Sequence, residues 1–145
     1  MKINWSKVLM GGLIAGVVLI AIDLVVQTYL LGPKSVAELD AFKPGLGSSM
    51  TQGNGLVIYI VLDAIFGVLL VWLYAAIRPR FGPGAATAVK AAVAAWIVQC
   101  IAYYGWLQMG MFSAGLWWSF AIAGLVGLVL ASCAGARFYS EEGAA

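Results

Sequence analysis

The sequence contains no histidine. That removes the commonest metal ligand, the usual general base and the usual axial ligand of haem. Charge is scarce too, with 10% of residues charged against about 25% in a soluble domain. The net charge is +2 and the basic residues are scattered, so no electrostatic footprint marks a nucleic-acid partner. Cysteine is limited to Cys100 and Cys133, each inside an apolar run. There is no CxxC pair, no glycine-rich phosphate loop and no serine nucleophile elbow. These gaps predict a non-enzymatic chain with no metal site and no cofactor.

Apolar sequence is what remains. Hydrophobic residues make up 63% of the chain and the mean hydropathy is +0.99, so lipid rather than water is the expected solvent. Four stretches stand out: Val8 to Leu31, Leu56 to Ile77, Ala85 to Leu107 and Ala114 to Ala136. Each matches the roughly 17–25 residues that span a hydrocarbon core. None alternates in polarity as a barrel strand must, so each is expected to be a helix. The predicted fold is an all-α integral membrane bundle of four helices, one domain over residues 1–145. The first stretch has the basic start of a signal peptide, and Ser35-Val36-Ala37 looks like a cleavage site. Its apolar run exceeds a signal core of about 7–15 residues and contains Asp23, so it is expected to stay as a membrane helix.

Basic residues orient the bundle. Lys2, Lys7, Arg78, Arg80, Lys90 and Arg137 fall at the N-terminus, the second connection and the C-terminus. The other side has Lys34 and Lys43, offset by Glu38 and Asp40. Both termini are therefore expected in the cytoplasm. The segment from Arg78 to Gly84 is expected to be a tight inner turn, with Pro83 starting the third helix. In the long first outer loop, Ser35-Val36-Ala37-Glu38 fits a capping box, so a short interfacial helix should run from there through Phe42. The glycine-rich stretch from Pro44 to Gly55 is expected to be mobile. Arg78 and Arg80 suit lipid headgroups or an acidic partner, although positive-inside topology alone also accounts for them.

Asp23 and Asp63 need explaining, because a carboxylate inside a span costs roughly 2.5–3.5 kcal/mol. At about 1.5 Å per residue, Asp23 stands about 24 Å above Lys7 and Asp63 about 22 Å above Arg78. By the same rise Gln99 reaches that level on the third helix, with Ser119 slightly higher on the fourth. Gln27 and Thr28 continue the polar line one turn beyond Asp23. A layer of Asp23, Asp63, Gln99, Gln27 and Ser119 facing the bundle interior is therefore expected. It has no basic residue at its depth, so it reads either as hydrogen-bonded glue between helices or as a proton or cation site.

Small residues point to close helix packing. Ser119, Ala123, Gly127, Ala131 and Gly135 recur every four residues, and Gly12 and Gly16 do so on the first helix. Such stripes serve internal contacts or a second protomer. Cys100 and Cys133 lie at different depths, too far apart for a disulfide.

The stretches WSKVLMGGLIAG (Trp5 to Gly16), VWLYAAIRPRFGPGAATA (Val71 to Ala88) and AGARFY (Ala134 to Tyr139) resemble those of small four-helix bacterial membrane proteins without an assigned function. That resemblance implies a bacterial inner membrane and the topology above, and it brings no activity. The acid in the first helix also resembles that of small multidrug transporters, which use a glutamate there; the long outer loop and the second acid depart from their pattern. Two function classes follow. One is an accessory or scaffold subunit, partnered by the bilayer and by other subunits or copies of itself. The other is a proton- or cation-coupled transporter using Asp23 and Asp63.

Overall fold

Asn4 caps the first helix: its side chain accepts the Lys7 N–H at 3.2 Å, and α1 then runs Trp5–Val25. The last turn widens into a π-helical segment, Val26–Leu30, closed by the Leu31 N–H on the Val26 carbonyl at 2.8 Å. The structure, a computed structural model, describes residues 3–141. Five further helices follow: α2 Gly32–Phe42, α3 Leu46–Thr51, α4 Asn54–Phe81, α5 Ala85–Gln108 and α6 Ala114–Ala136. No strand occurs among the described residues. Four helices, counting α1 with its π turn, are long and apolar enough to cross a membrane, at 23 to 28 residues each. At about 1.5 Å per residue even the shortest exceeds a hydrocarbon core of about 30 Å.

Several local expectations need correction. The capping box does not form. Helix α2 begins three residues earlier, with Pro33 in its first turn, where a missing N–H costs nothing. Ser35 lies inside the helix, buried, and donates to the Gly32 carbonyl at 2.9 Å. The stretch after Lys43 is ordered rather than loose. Gly45 turns the chain at φ 81°, α3 follows, and the Gly47 N–H donates to the Asp40 carboxylate at 2.7 Å.

The connection between the second and third spans is also shorter than expected. Helix α4 continues through Arg78, Pro79 and Arg80 to Phe81. Proline's fixed φ suits a helix, and its missing N–H forfeits one bond near the end. The turn is Gly82 to Gly84, with φ of 82° and 112° at its two glycines. Gly82 N–H closes onto the Arg78 carbonyl at 2.8 Å, and Gly84 N–H donates to the Tyr74 hydroxyl at 3.1 Å. Pro83 sits within this turn, and α5 starts at Ala85 behind the Gly84 cap.

Packing is uneven along the bundle. At one end lie the N-terminal segment, the α4–α5 turn and the C-terminal segment; this is the terminal end. Tyr139 joins them: its hydroxyl accepts the Asn4 N–H at 3.5 Å and its ring meets Tyr74 edge-on at 5.9 Å. Arg78 stacks over that ring at 5.6 Å and pairs with Glu141 at 3.1 Å. In this half α1, α4 and α6 touch backbone to backbone. A Cβ on Gly11 would stand 2.6 Å from the Gly135 carbonyl oxygen, and one on Gly12 2.5 Å from the Val68 Cα. Only glycine permits such approach. The core there is Val8, Ala15, Leu19, Leu70, Val71, Leu128 and Ala131, with Ala88, Ala91 and Ala92 from α5.

The opposite half, the loop end, is open. From Leu56 to Leu62 every residue of α4 is exposed, which covers its whole circumference. The same holds for α5 from Ile101 to Gly105. These two helices are joined by the short Gly82–Gly84 turn at the terminal end, and they part from there. Helix α5 instead keeps to α6. Trp96 Nε1 donates to the Ala121 carbonyl at 2.7 Å, and Ser132 Oγ to the Ala88 carbonyl at 2.8 Å.

Candidate functional site

The polar layer predicted from depth alone is not assembled as expected. Gly16 fixes the register of α1 on α4: a Cβ there would sit 2.8 Å from the Ala64 Cα and 3.3 Å from the Asp63 carbonyl oxygen. Asp63 therefore lies beside Gly16, and Asp23 stands about 10 Å further toward the loop end. The two backbones are not level. Equal counting from Lys7 and Arg78 failed because the two are not level: with Gly12 on Val68 and Gly16 on Ala64, Arg78 lies about 7 Å further toward the terminal end than Lys7.

The side chains recover part of that gap. Each Cα–Cβ bond tilts toward its own helix N-terminus, and α1 and α4 run antiparallel. Asp23 thus leans toward the terminal end and Asp63 toward the loop end, so their side chains narrow the gap between their backbones. Both occupy the face that continues the packed seam: Asp23 follows Gly12 and Gly16, and Asp63 precedes Gly67 by one turn.

Neither acid is enclosed. Asp23 is exposed and Asp63 half-buried, and Gln27 and Thr28 are exposed on the π turn. Gln99 is half-buried on α5, its amide oxygen 3.3 Å from where a Gly124 Cβ would be. That oxygen is itself buried and has no hydrogen-bond partner. Ser119 turns back onto its own helix, donating to the Gly115 carbonyl at 2.9 Å. Among the described residues no hydrogen bond joins Asp23, Asp63, Gln99, Gln27 or Ser119 to one another. Asp23 and Gln27 face the open half, Gln99 packs against α6 at Gly124, and no ion pair among the described residues involves either acid.

The small-residue stripes have definite neighbours. Gly12 and Gly16 meet α4, whose Gly67 would drive a Cβ into the backbone of both. Gly135 fits under Val71 and the Gly11 carbonyl, while Gly127 faces Leu19 and Ile22 of α1. Ala131 is fully buried and Ala123 half-buried. These positions pack the chain against itself. Cys100 and Cys133 are free thiols. Among the described residues no group of three His, Cys, Asp or Glu side chains is placed to hold a metal.

Two polar constellations escaped the sequence reading. One is the terminal clasp of Arg78, Glu141, Tyr139 and Tyr74; Arg78 was noted for its charge, but nothing local points to Glu141 as its partner. Arg80 stays exposed beside it. The other is at the loop end. The Glu38 carboxylate accepts the Ser113 N–H and the Ser113 hydroxyl, both at 2.7 Å, across 75 residues of sequence. Ser113 in turn caps α6, its side chain accepting the Leu116 N–H at 3.3 Å. Local sequence offers Glu38 only the start of its own helix, which hides its long-range partner.

Comparison with protein-family models, with curated proteins and with solved structures finds no match.

Proposed function

We propose that this chain is a non-catalytic subunit of a membrane assembly, completed by transmembrane helices that it does not itself supply. The observation that carries this reading is the contrast between its two halves. The terminal half is closed by glycine-mediated backbone contacts, whereas the loop half leaves α4 and α5 bare around their circumference. Lipid chains can solvate the apolar side chains there. They cannot solvate Asp23, whose exposure in hydrocarbon costs roughly 2.5–3.5 kcal/mol. A neighbouring helix, from another subunit or a second copy, would cover that carboxyl and supply a donor. The positive residues at the terminal end support a cytoplasmic placement for both termini, in a bacterial inner membrane.

The pairing of Asp23 with Asp63 favours a second reading. Two carboxyls that lean toward each other from packed helices, with no ion pair to either among the described residues, suit a proton or a small cation as their shared partner. In that case the chain is a small coupled transporter.

The separating measurement is the native mass of the protein after mild extraction from its own membranes, combined with flux in liposomes. Comigration with a defined larger assembly, and no flux from the purified chain, supports the subunit reading. Proton or cation flux that disappears in Asp63→Asn defeats it and establishes the transporter.

A further inference from the structure

We propose that α2 and α3 form a hinged lid over the loop end of the bundle, held shut by Glu38 acting as a latch on Ser113. Helix α2 leaves the top of α1, passes the start of α6 at Ser113, and hands over to α3, which returns the chain to α4. The segment therefore ties together the ends of α1, α6 and α4, above the half that holds Asp23 and Asp63.

Three observations make this a lid rather than a packed part of the bundle. First, the tie to α6 is polar. Both hydrogen bonds between α2 and the α5–α6 connection end on the Glu38 carboxylate. Second, the apolar surfaces on either side of the latch do not close. A groove of about 580 Å³ runs between Ala41 and Phe42 of α2 and the segment Gly110 to Phe112. Third, the segment has joints at both ends. It starts at Leu31, a bend between the π turn and α2 with φ of -117°, and it ends at Gly53, with φ of 54° and nothing within 4 Å of a would-be Cβ. Gly45 supplies a further joint between α2 and α3 at φ 81°.

Charge-assisted hydrogen bonds are the strong class, so this latch is firm when made and is removed whole by one side chain. With the latch made, α2 and α3 restrict the approach of water to the acid-bearing half from the loop end. With it broken, water reaches that half from the loop end. This holds whether the chain is a subunit or a transporter.

The test uses the full chain in liposomes with Cys100→Ser and Cys133→Ser and one reporter thiol, Asp63→Cys. A membrane-impermeant maleimide is supplied on the loop-end side, and its reaction rate is followed. Glu38→Ala is expected to raise that rate at least about tenfold, the factor that corresponds to about 1.4 kcal/mol in the opening equilibrium. Ser113→Ala, which keeps the backbone N–H on Glu38, should give a smaller rise. An unchanged rate in Glu38→Ala, with the helical spectrum intact, overturns the latch. So does a parent protein whose thiol already reacts as fast as a free thiol in water. If Glu38→Ala does not fold, Ser113→Ala is judged by the same criterion.

Discussion

Gly67 offers the sharpest test of the packing. A Cβ at this position would lie 2.5 Å from the Gly12 carbonyl oxygen and 2.6 Å from the Gly16 Cα, and closer still to the Gly16 nitrogen. All three are backbone atoms, so no side chain can turn aside. Ordinary contact begins near 3.4 Å, and α1 and α4 must therefore part by about 1 Å to admit alanine. A gap of that size forfeits a quarter to a half of each dispersion contact along the seam, and overpacking of this kind costs about 1–3 kcal/mol. Alanine also gains about 0.5–1 kcal/mol over glycine inside any helix. Gly105 supplies the control, since it too is helical and nothing lies within 4 Å of its would-be Cβ. Gly105→Ala should therefore stabilise the protein by about 0.5–1 kcal/mol. Gly67→Ala should fall below it by about 1–3 kcal/mol. The assay is SDS titration of the chain in mixed micelles, followed by tryptophan fluorescence. If the two variants unfold at the same SDS fraction, the close α1–α4 contact is refuted.

The remaining predictions concern polar groups. Trp96→Phe and Ser132→Ala each remove one bond between α5 and α6, and each should cost about 0.6 kcal/mol, with about 1.7 as a ceiling. The same SDS titration measures both, and a loss well above that ceiling would mean that the bonds position more than themselves. Arg78→Ala should release the C-terminal segment and speed its limited proteolysis, since it removes both the Glu141 pair and the stack on Tyr139. Glu141→Gln keeps the stack and should have the smaller effect; equal rates for the two would show that Tyr139 contributes nothing. Asp23→Leu should make the isolated chain easier to insert by about 2.5–3.5 kcal/mol while weakening its comigration with any larger assembly. Unchanged comigration would remove Asp23 from the subunit interface.

Composition and periodicity sufficed for the helical class and for four helices long and apolar enough to cross a membrane, because the requirement for about 20 apolar residues is local and additive along the chain. The gathering of Asn4, Arg78 and Tyr139 at one end follows from the even number of crossings, and the structure has that arrangement. Glycine spacing flagged α1 and α6 as close-packing surfaces but did not name their neighbours. The fit of Gly67 between Gly12 and Gly16 depends on the register of two helices far apart in sequence, which only their steric contact selects. Depth counting placed Asp23 and Asp63 level because it took Lys7 and Arg78 as level, whereas the steric register of α1 on α4 sets Arg78 further toward the terminal end. The partners of Glu38 and Glu141 were illegible for a related reason. A carboxylate is satisfied by whichever donor the fold brings within about 3 Å, and local sequence proposes only the nearest one. Local apolar composition thus determined which elements this chain forms. Helix register, set by where glycine lets two backbones meet, decided which half closes and which half stays open.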